Sequence, residues 1–324
     1  MSRLNLELAT IVRAHASAYL DRHRVSPQQA KVLSRIATYR TAALGGHVER
    51  CGTCDFARIA YNSCRDRHCP KCQAAKQHAW VESRCERLLP VPYFHVVFTL
   101  PHALNPVALQ NPTVIYDLLF EAASSTLRTL TADPRRLGAQ VGITAVLHTW
   151  GQNLLLHPHL HCVVSGGGLS LDGSHWVAGN DRYFLPVKVL SKLFRGKFLD
   201  GLKRLRAAGV LKWSGSVAGL ADPQRFRRWL GDRYREKWVV YAKAPFGGPE
   251  SVFRYLGRYT HRVAITNHRL RSLENDHVSL AWKDYADVNL IKVMRLSADE
   301  FMRRFLLHVL PRGFVRIRHN GPVH

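Results

Sequence analysis

Three histidines recur at alternate positions in one short stretch, His157-Pro158-His159-Leu160-His161, followed by Cys162-Val163-Val164. The run from Leu160 to Val164 is apolar and ends β-branched, then meets Gly166-Gly167-Gly168, the pattern of a buried strand closed by a turn. Side chains alternate on a strand. His159 and His161 therefore share a face, about 7 Å apart at roughly 3.3 Å per residue, with Leu160 turned into the core. Two imidazoles on one rigid face form a two-point clamp for a divalent metal. His157 has the same parity and is a candidate third ligand, although Pro158 separates it from the strand body. Gln152 is the other candidate. One histidine on an apolar face is usually a hydrogen-bonded core residue, but three at alternate positions, where a strand leaves a loop, read as ligands.

A second cluster lies upstream. The chain has seven cysteines, at 51, 54, 64, 69, 72, 85 and 162, and five of them fall within 22 residues. No signal peptide opens the chain, so this clustering points to metal and not to disulfides. Cys51-Gly-Thr-Cys54 and Cys69-Pro-Lys-Cys72 are paired CxxC knuckles with 14 residues between them. Ala57 to Tyr61 can form a short strand in the interval. The spacing predicts a tetrahedral structural zinc ribbon over 47–73, with Cys51, Cys54, Cys69 and Cys72 as ligands. Cys64, His47 and His68 are left over, and any one could replace a knuckle cysteine. So small a module has little core, so the metal supplies much of its folding energy.

The third element is a helix expected near 250–262, Ser251-Val-Phe-Arg-Tyr255-Leu-Gly-Arg-Tyr259-Thr-His-Arg262. Tyr255 and Tyr259 are four apart and share a face, while Arg254, Arg258 and Arg262 follow a neighbouring stripe. A phenol titrates near 10 and is a poor nucleophile unaided. Beside a divalent cation and arginines, it can attack a phosphate. Tyrosines so spaced, without the clamp, would read as core.

Other elements must hold these groups in place. Residues 4–45 read as two helices, the second capped by Ser26-Pro27-Gln28-Gln29. A helix over 73–89 ends at Pro90-Val-Pro92, where a domain boundary is expected. Tyr93 to Leu100 reads as a central strand, Thr113 to Leu130 as a helix and Val141 to Trp150 as a second strand. Asp172-Gly173 signals a hairpin. Helices follow over 186–235, then a short strand over Trp238–Tyr241. A hairpin is expected from Val263–Ile265 and Val278–Trp282, a last helix over Ala298–Leu310 and a basic strand-like segment over Arg312–Arg318.

The charge limits the partner. Lys and Arg number 47 against 23 Asp and Glu, a net +24, with an isoelectric point near 10.3. Such an excess suits a polyanion, because each Lys or Arg that meets a phosphate releases condensed counterions. Arg65, Arg67, Lys71 and Lys76 flank the cysteines and could meet phosphates. Trp213 and Trp229 lie among the arginines of 186–235, where they could stack on single-strand bases or simply pack. No apolar run approaches the 18 or so residues of a spanning helix, so no membrane role is expected and the chain should be cytoplasmic, near the nucleoid.

Taken together, HVERCGTCDF…NSCRDRHCPKCQ, FHVVFTLPHAL, HTWGQNLLLHPHLHCVVSGGGL and FRYLGRYTHRVAI resemble the HUH-endonuclease transposases of the insertion-sequence ninety-one family, which mobilise by rolling circle. The resemblance covers nearly the whole chain. It implies an α+β fold: a ferredoxin- or RRM-like nuclease domain with a central antiparallel sheet over 90–324, preceded by a helical, zinc-binding DNA-binding domain over 1–89. It implies His159 and His161 as HUH ligands of Mg²⁺ or Mn²⁺, and Tyr255 and Tyr259 as the two tyrosines. It implies cleavage and rejoining of single-stranded or hairpin DNA at the ends of a mobile element through a 5′-phosphotyrosine. Members often continue beyond the segment resembling RGFVRIRHNG, whereas only Pro322-Val323-His324 follow here. A lost C-terminal portion or a natural truncation is therefore expected.

Rival readings remain. A replication initiator or relaxase would use the same chemistry. A DNA-binding zinc protein without nuclease activity would leave the clamp and the tyrosines idle. A His-x-His strand end also opens metal-dependent hydrolases of the amidohydrolase kind, but these need further His and acidic ligands at later strand ends, and none stands out.

Overall fold

The computed structural model describes residues 6–54, 56–86, 88–180, 184–243, 264–285 and 287–321. The fold is mixed helix and sheet. Helices α1 (Leu8–Arg22) and α2 (Pro27–Ala37) come first. The Ser26 hydroxyl accepts the Gln29 N–H at 3.2 Å and the Gln29 side chain takes the Ser26 N–H at 2.9 Å. With Pro27 in the first turn, this is a complete capping box. Strands β1 (Gly46–Arg50) and β2 (Ala57–Tyr61) pair antiparallel as a separate ribbon, and α3 (Pro70–Cys85) follows.

The central sheet is built from β3 (Tyr93–Thr99), β4 (Ala139–Trp150), β5 (Leu156–Ser170), β6 (Trp176–Ala178), β7 (Val240–Lys243) and β11 (Ile317–Asn320). Among the described residues its order is β11-β4-β5-β3-β7, with β6 on β5. Strand β3 runs antiparallel to β5, with Val97 opposite His161 and Thr99 opposite His159. The basic tail supplies β11, which pairs with β4 from Ile317↔Val146 to Asn320↔Ile143. Helices α4 (Asn105–Gln110), α5 (Pro112–Ala132), α6 (Val187–Ala207) and α7 (Pro223–Arg235) connect these strands. Alternation along β3 sends Phe94, Val96 and Phe98 to one face. There Phe98 meets Phe194 of α6, which packs on Trp238. His95 and Val97 look to the other face.

A smaller sheet, β8 (Leu270–Glu274), β9 (His277–Asp284) and β10 (Leu290–Ser297), precedes α8 (Ala298–Leu306). Among the described residues no strand forms around Ile265: Ala264 and Ile265 are buried core residues outside any strand, and β8 begins at Leu270. No helix among the described residues is long and apolar enough to cross a membrane.

The chain divides into two compact units. One comprises Met1–Ala79, Trp150–Leu156 and His261–Arg312, and the other Trp80–Thr149, His157–Thr260 and Gly313–His324. This differs from a single cut after residue 89. The reason lies in the apolar core of the first unit, where Ile11, Val12, Leu33 and Ile36 pack in one cluster with Leu154, Val278, Leu280, Phe301 and Phe305.

The triple glycine is not a turn. Strand β5 runs through it to Ser170, because glycine lets neighbouring backbones come close. A Cβ on Gly168 would fall on the Gln140 carbonyl, and one on Gly167 would fall 2.7 Å from the Val177 carbonyl. Gly168→Ala is therefore expected to lower stability by about 1–3 kcal/mol, measured as a lower urea midpoint with unchanged slope.

Candidate metal centre

His148 near the end of β4, and His159 and His161 near the start of β5, each offer a ring nitrogen, and these nitrogens lie within 4.8 Å of one another. The rings pack closely: His148 is 5.4 Å from His159 and 4.6 Å from His161 between centroids, and His159 is 4.9 Å from His161. The Nε2 atoms of His159 and His161 are 3.1 Å apart. His159 Nδ1–H donates to the His157 carbonyl at 2.6 Å, which leaves its Nε2 lone pair aimed at the cluster. His161 Nδ1 lies 2.9 Å from His95 Nε2 on β3, and the two rings stack within 6° of parallel. Ligating histidines typically have their second nitrogen fixed in this way, by a carbonyl or another side chain.

Burial sets the protonation. It lowers both His95 and His159 to about 4, so both are neutral at physiological pH, as ligands and their supports must be. An all-imidazole ligand set carries no negative charge, so it would leave the +2 of a divalent ion uncompensated, which would suit polarisation of a phosphate.

Two of the three expected ligands are in this group, and His157 is not. Its backbone carbonyl orients His159, while its ring sits 5.4 Å from that of His102. Gln152 lies in the other unit, where its side chain donates to the Tyr285 hydroxyl. His148 and His95 were missed because each is a lone histidine in a strand. The available signal was the short connection between β4 and β5, which returns the chain beside itself.

The cysteines regroup as well. The sulfurs of Cys64, Cys69 and Cys72 lie within 4.8 Å of one another, with Cys64 Sγ 3.6 Å from Cys72 Sγ. Cys51 and Cys54 are exposed at the tip of the β1–β2 ribbon, where the Cys51 N–H donates to the Phe56 carbonyl at 2.9 Å. The ribbon explains the separation. Its paired residues run from Arg50↔Ala57 at the tip to Gly46↔Tyr61 at the base, roughly 13 Å of strand, and Cys64 follows the base. One zinc, with Zn–S bonds of about 2.3 Å, does not bridge that span.

A hydrogen bond from the Cys69 thiol is the main cause that lowers Cys64 to about 6, and Cys69 is raised in turn. A readily formed thiolate among three sulfurs would suit zinc, and among the described residues no fourth His, Cys or carboxylate joins them. His68 does not join them: its Nδ1–H donates to Asp66 at 2.9 Å and its Nε2 accepts the Leu310 N–H at 3.3 Å. His47 is exposed beside Glu49.

Of the basic candidates near the cysteines, Arg65 is exposed, Arg67 is half-buried, and Lys71 pairs with Glu7 at 2.7 Å. The aromatic residues of 186–235 are engaged internally. Arg206 covers Trp213 and Phe226 at 5.5 and 4.4 Å from the ring centroids, and Arg233 covers Trp229 at 5.3 Å. This favours packing over base stacking. Tyr255, Tyr259, Arg254, Arg258 and Arg262 lie outside the described residues.

A family model described as "Putative transposase" matches residues 142–324, and one described as "Transposase zinc-binding domain", of IS91 type, matches residues 11–100. The chain is 54% identical over 322 residues to "Putative transposase y4qJ" of Sinorhizobium fredii (strain NBRC 101917 / NGR234), covering 99% of this chain and 81% of that protein. The chain belongs to the IS91 family of transposases. This transposase is also 26% identical to "Transposase for insertion sequence element IS801" of Pseudomonas savastanoi pv. phaseolicola, over 90% of this chain and 70% of that one. Among solved structures, a conjugative relaxase TrwC in complex with oriT DNA, metal-bound, covers 52% of the transposase and 71% of its own chain, at 13% identity and a TM-score of 0.29. The N-terminal part of the transposase is thus a zinc-binding domain. In it, Cys64→Ser is expected to cost zinc as fully as Cys69→Ser does, while Cys51→Ser retains it, by metal analysis of purified protein.

Proposed function

We propose that this transposase cleaves and rejoins single-stranded DNA through a 5′-phosphotyrosine, using Tyr255 or Tyr259 as nucleophile, to move an insertion sequence by rolling circle. The observation that supports it is the convergence of His148, His159 and His161 on one sheet face. These residues would hold Mg²⁺ or Mn²⁺, and an ion there supplies Lewis-acid polarisation of the scissile phosphate.

The chain's own residues do the rest. The His157 carbonyl and His95 hold two of the ligand rings in orientation. A tyrosine oxygen attacks phosphorus in line, forms the tyrosyl–phosphate bond and gives up its proton. The bond from phosphorus to the 3′-oxygen breaks, and that oxygen leaves as a hydroxyl after protonation. The phosphotyrosine keeps the bond energy, so a later 3′-hydroxyl can reverse the step and join strands without ATP. Arg254, Arg258 and Arg262 would neutralise phosphate charge beside the tyrosines. The zinc-binding domain, with Arg65, Arg67 and Lys71, would contribute contacts to single-stranded or hairpin ends.

The test is incubation with end-labelled single-stranded oligonucleotide and Mn²⁺, followed by a denaturing gel. Wild type should give a covalent protein–DNA band. His148→Ala and the double variant Tyr255→Phe/Tyr259→Phe should lose it while retaining salt-dependent DNA binding. Continued cutting by the double variant would mean that water is the nucleophile and would reject the reading. Loss of DNA binding by His148→Ala would count against the separation of binding from chemistry.

A further inference from the structure

The connection between the two ligand strands is gripped by side chains from a distant part of the sequence. Residues 151–155 join β4, which carries His148, to β5, which carries His159 and His161. Trp150–Leu156 belongs to the same unit as His261–Arg312. Three consecutive carbonyls of the connection each accept a donor from that later segment. Arg269 Nη2 donates to Gln152 O, Arg304 Nη1 to Asn153 O at 2.9 Å, and His308 Nε2 to Leu154 O at 3.0 Å.

Each donor is itself fixed. Arg269 is buried, and its Nε and Nη1 donate to the Ala281 and Ala264 carbonyls at 2.8 and 3.3 Å. Arg304 Nε is held by the Glu300 carboxylate at 2.6 Å. His308 is buried and meets the Trp150 ring edge-on at 6.0 Å. The connection is also strained. Leu154 sits at φ +60°, in the left-handed region, with its side chain fully buried. A leucine there costs about 1 kcal/mol or more, and such a conformation persists where its surroundings over-determine it.

We propose that Arg269, Arg304 and His308 are positioning residues for the metal centre, holding the carbonyls of 152–154 and so fixing the span between His148 and His159. The proposal rests on reading His148, His159 and His161 as metal ligands. His148 lies two residues before Trp150, and His159 three residues after Leu156, so a released connection passes its slack directly to the ligand-bearing strand ends. Removing such outer supports typically costs 10–100-fold in metal affinity.

The experiment titrates the full chain with Mn²⁺ alone, reading free Mn²⁺ by electron paramagnetic resonance well below the unfolding temperature. Arg304→Ala and His308→Ala should each weaken Mn²⁺ binding at least tenfold. His308→Gln, which keeps an N–H for Leu154, should recover most of the loss. Ile36→Ala, a buried α2 residue of the same core, serves as the stability control and should lower the unfolding temperature without changing affinity. Wild-type affinity in both alanine variants overturns the proposal, and so does an equal loss in Ile36→Ala. Absence of Mn²⁺ binding by wild type overturns the underlying metal reading, and the proposal with it.

Discussion

Three imidazoles with ring nitrogens within 4.8 Å of one another, on a face where burial keeps His159 neutral, set the constraint on which the candidate metal centre depends. His159 Nδ1–H donates to the His157 carbonyl, His161 Nε2 lies 3.1 Å from His159 Nε2, and His161 Nδ1 lies 2.9 Å from His95 Nε2, so each ring is held by the next. A metal held through Nε2 of His159 and His161 would require the His161 proton on Nδ1, and His95 would then accept from it through a bare Nε2.

The sheet is what makes this geometry possible. Adjacent strands bring residues far apart in sequence to neighbouring positions, and the pleat sends His159 and His161 to the face that His95 shares. Glycines 166–168 let β5 continue unbroken between closely approaching backbones of β4 and β6. On the opposite face, Phe98 against Phe194, with Trp238 behind, gives the sheet its apolar support. The connection between β4 and β5 has an unusual role, since its core residue Leu154 packs in the unit that also holds α1, α2 and the cysteine cluster.

Local pattern and short motifs were legible in the sequence. The Ser26 cap, the strand at 93–99, the helix over 112–132 and the Asp172-Gly173 hairpin all follow from residue chemistry within a few positions. The placing of His159 and His161 on one strand face was legible for the same reason. The rest depended on tertiary pairing. His148 carries no local mark, and its proximity to the other two exists only once β4 and β5 lie side by side. Cys64 was outranked by the CxxC rhythm, yet the β1–β2 ribbon carries Cys51 and Cys54 to its tip and leaves Cys64 with Cys69 and Cys72. The return of residues 261–312 to the N-terminal unit could not be read from composition, because it rests on which apolar faces meet.

Electron spin-echo spectroscopy of Mn²⁺-loaded protein counts coupled imidazole nitrogens and so reads out which histidines hold the metal. Three are expected in wild type, two in His148→Ala, and three still in His157→Ala. Loss of a nitrogen in His157→Ala with none lost in His148→Ala, or a manganese signal without imidazole coupling, would contradict this ligand set.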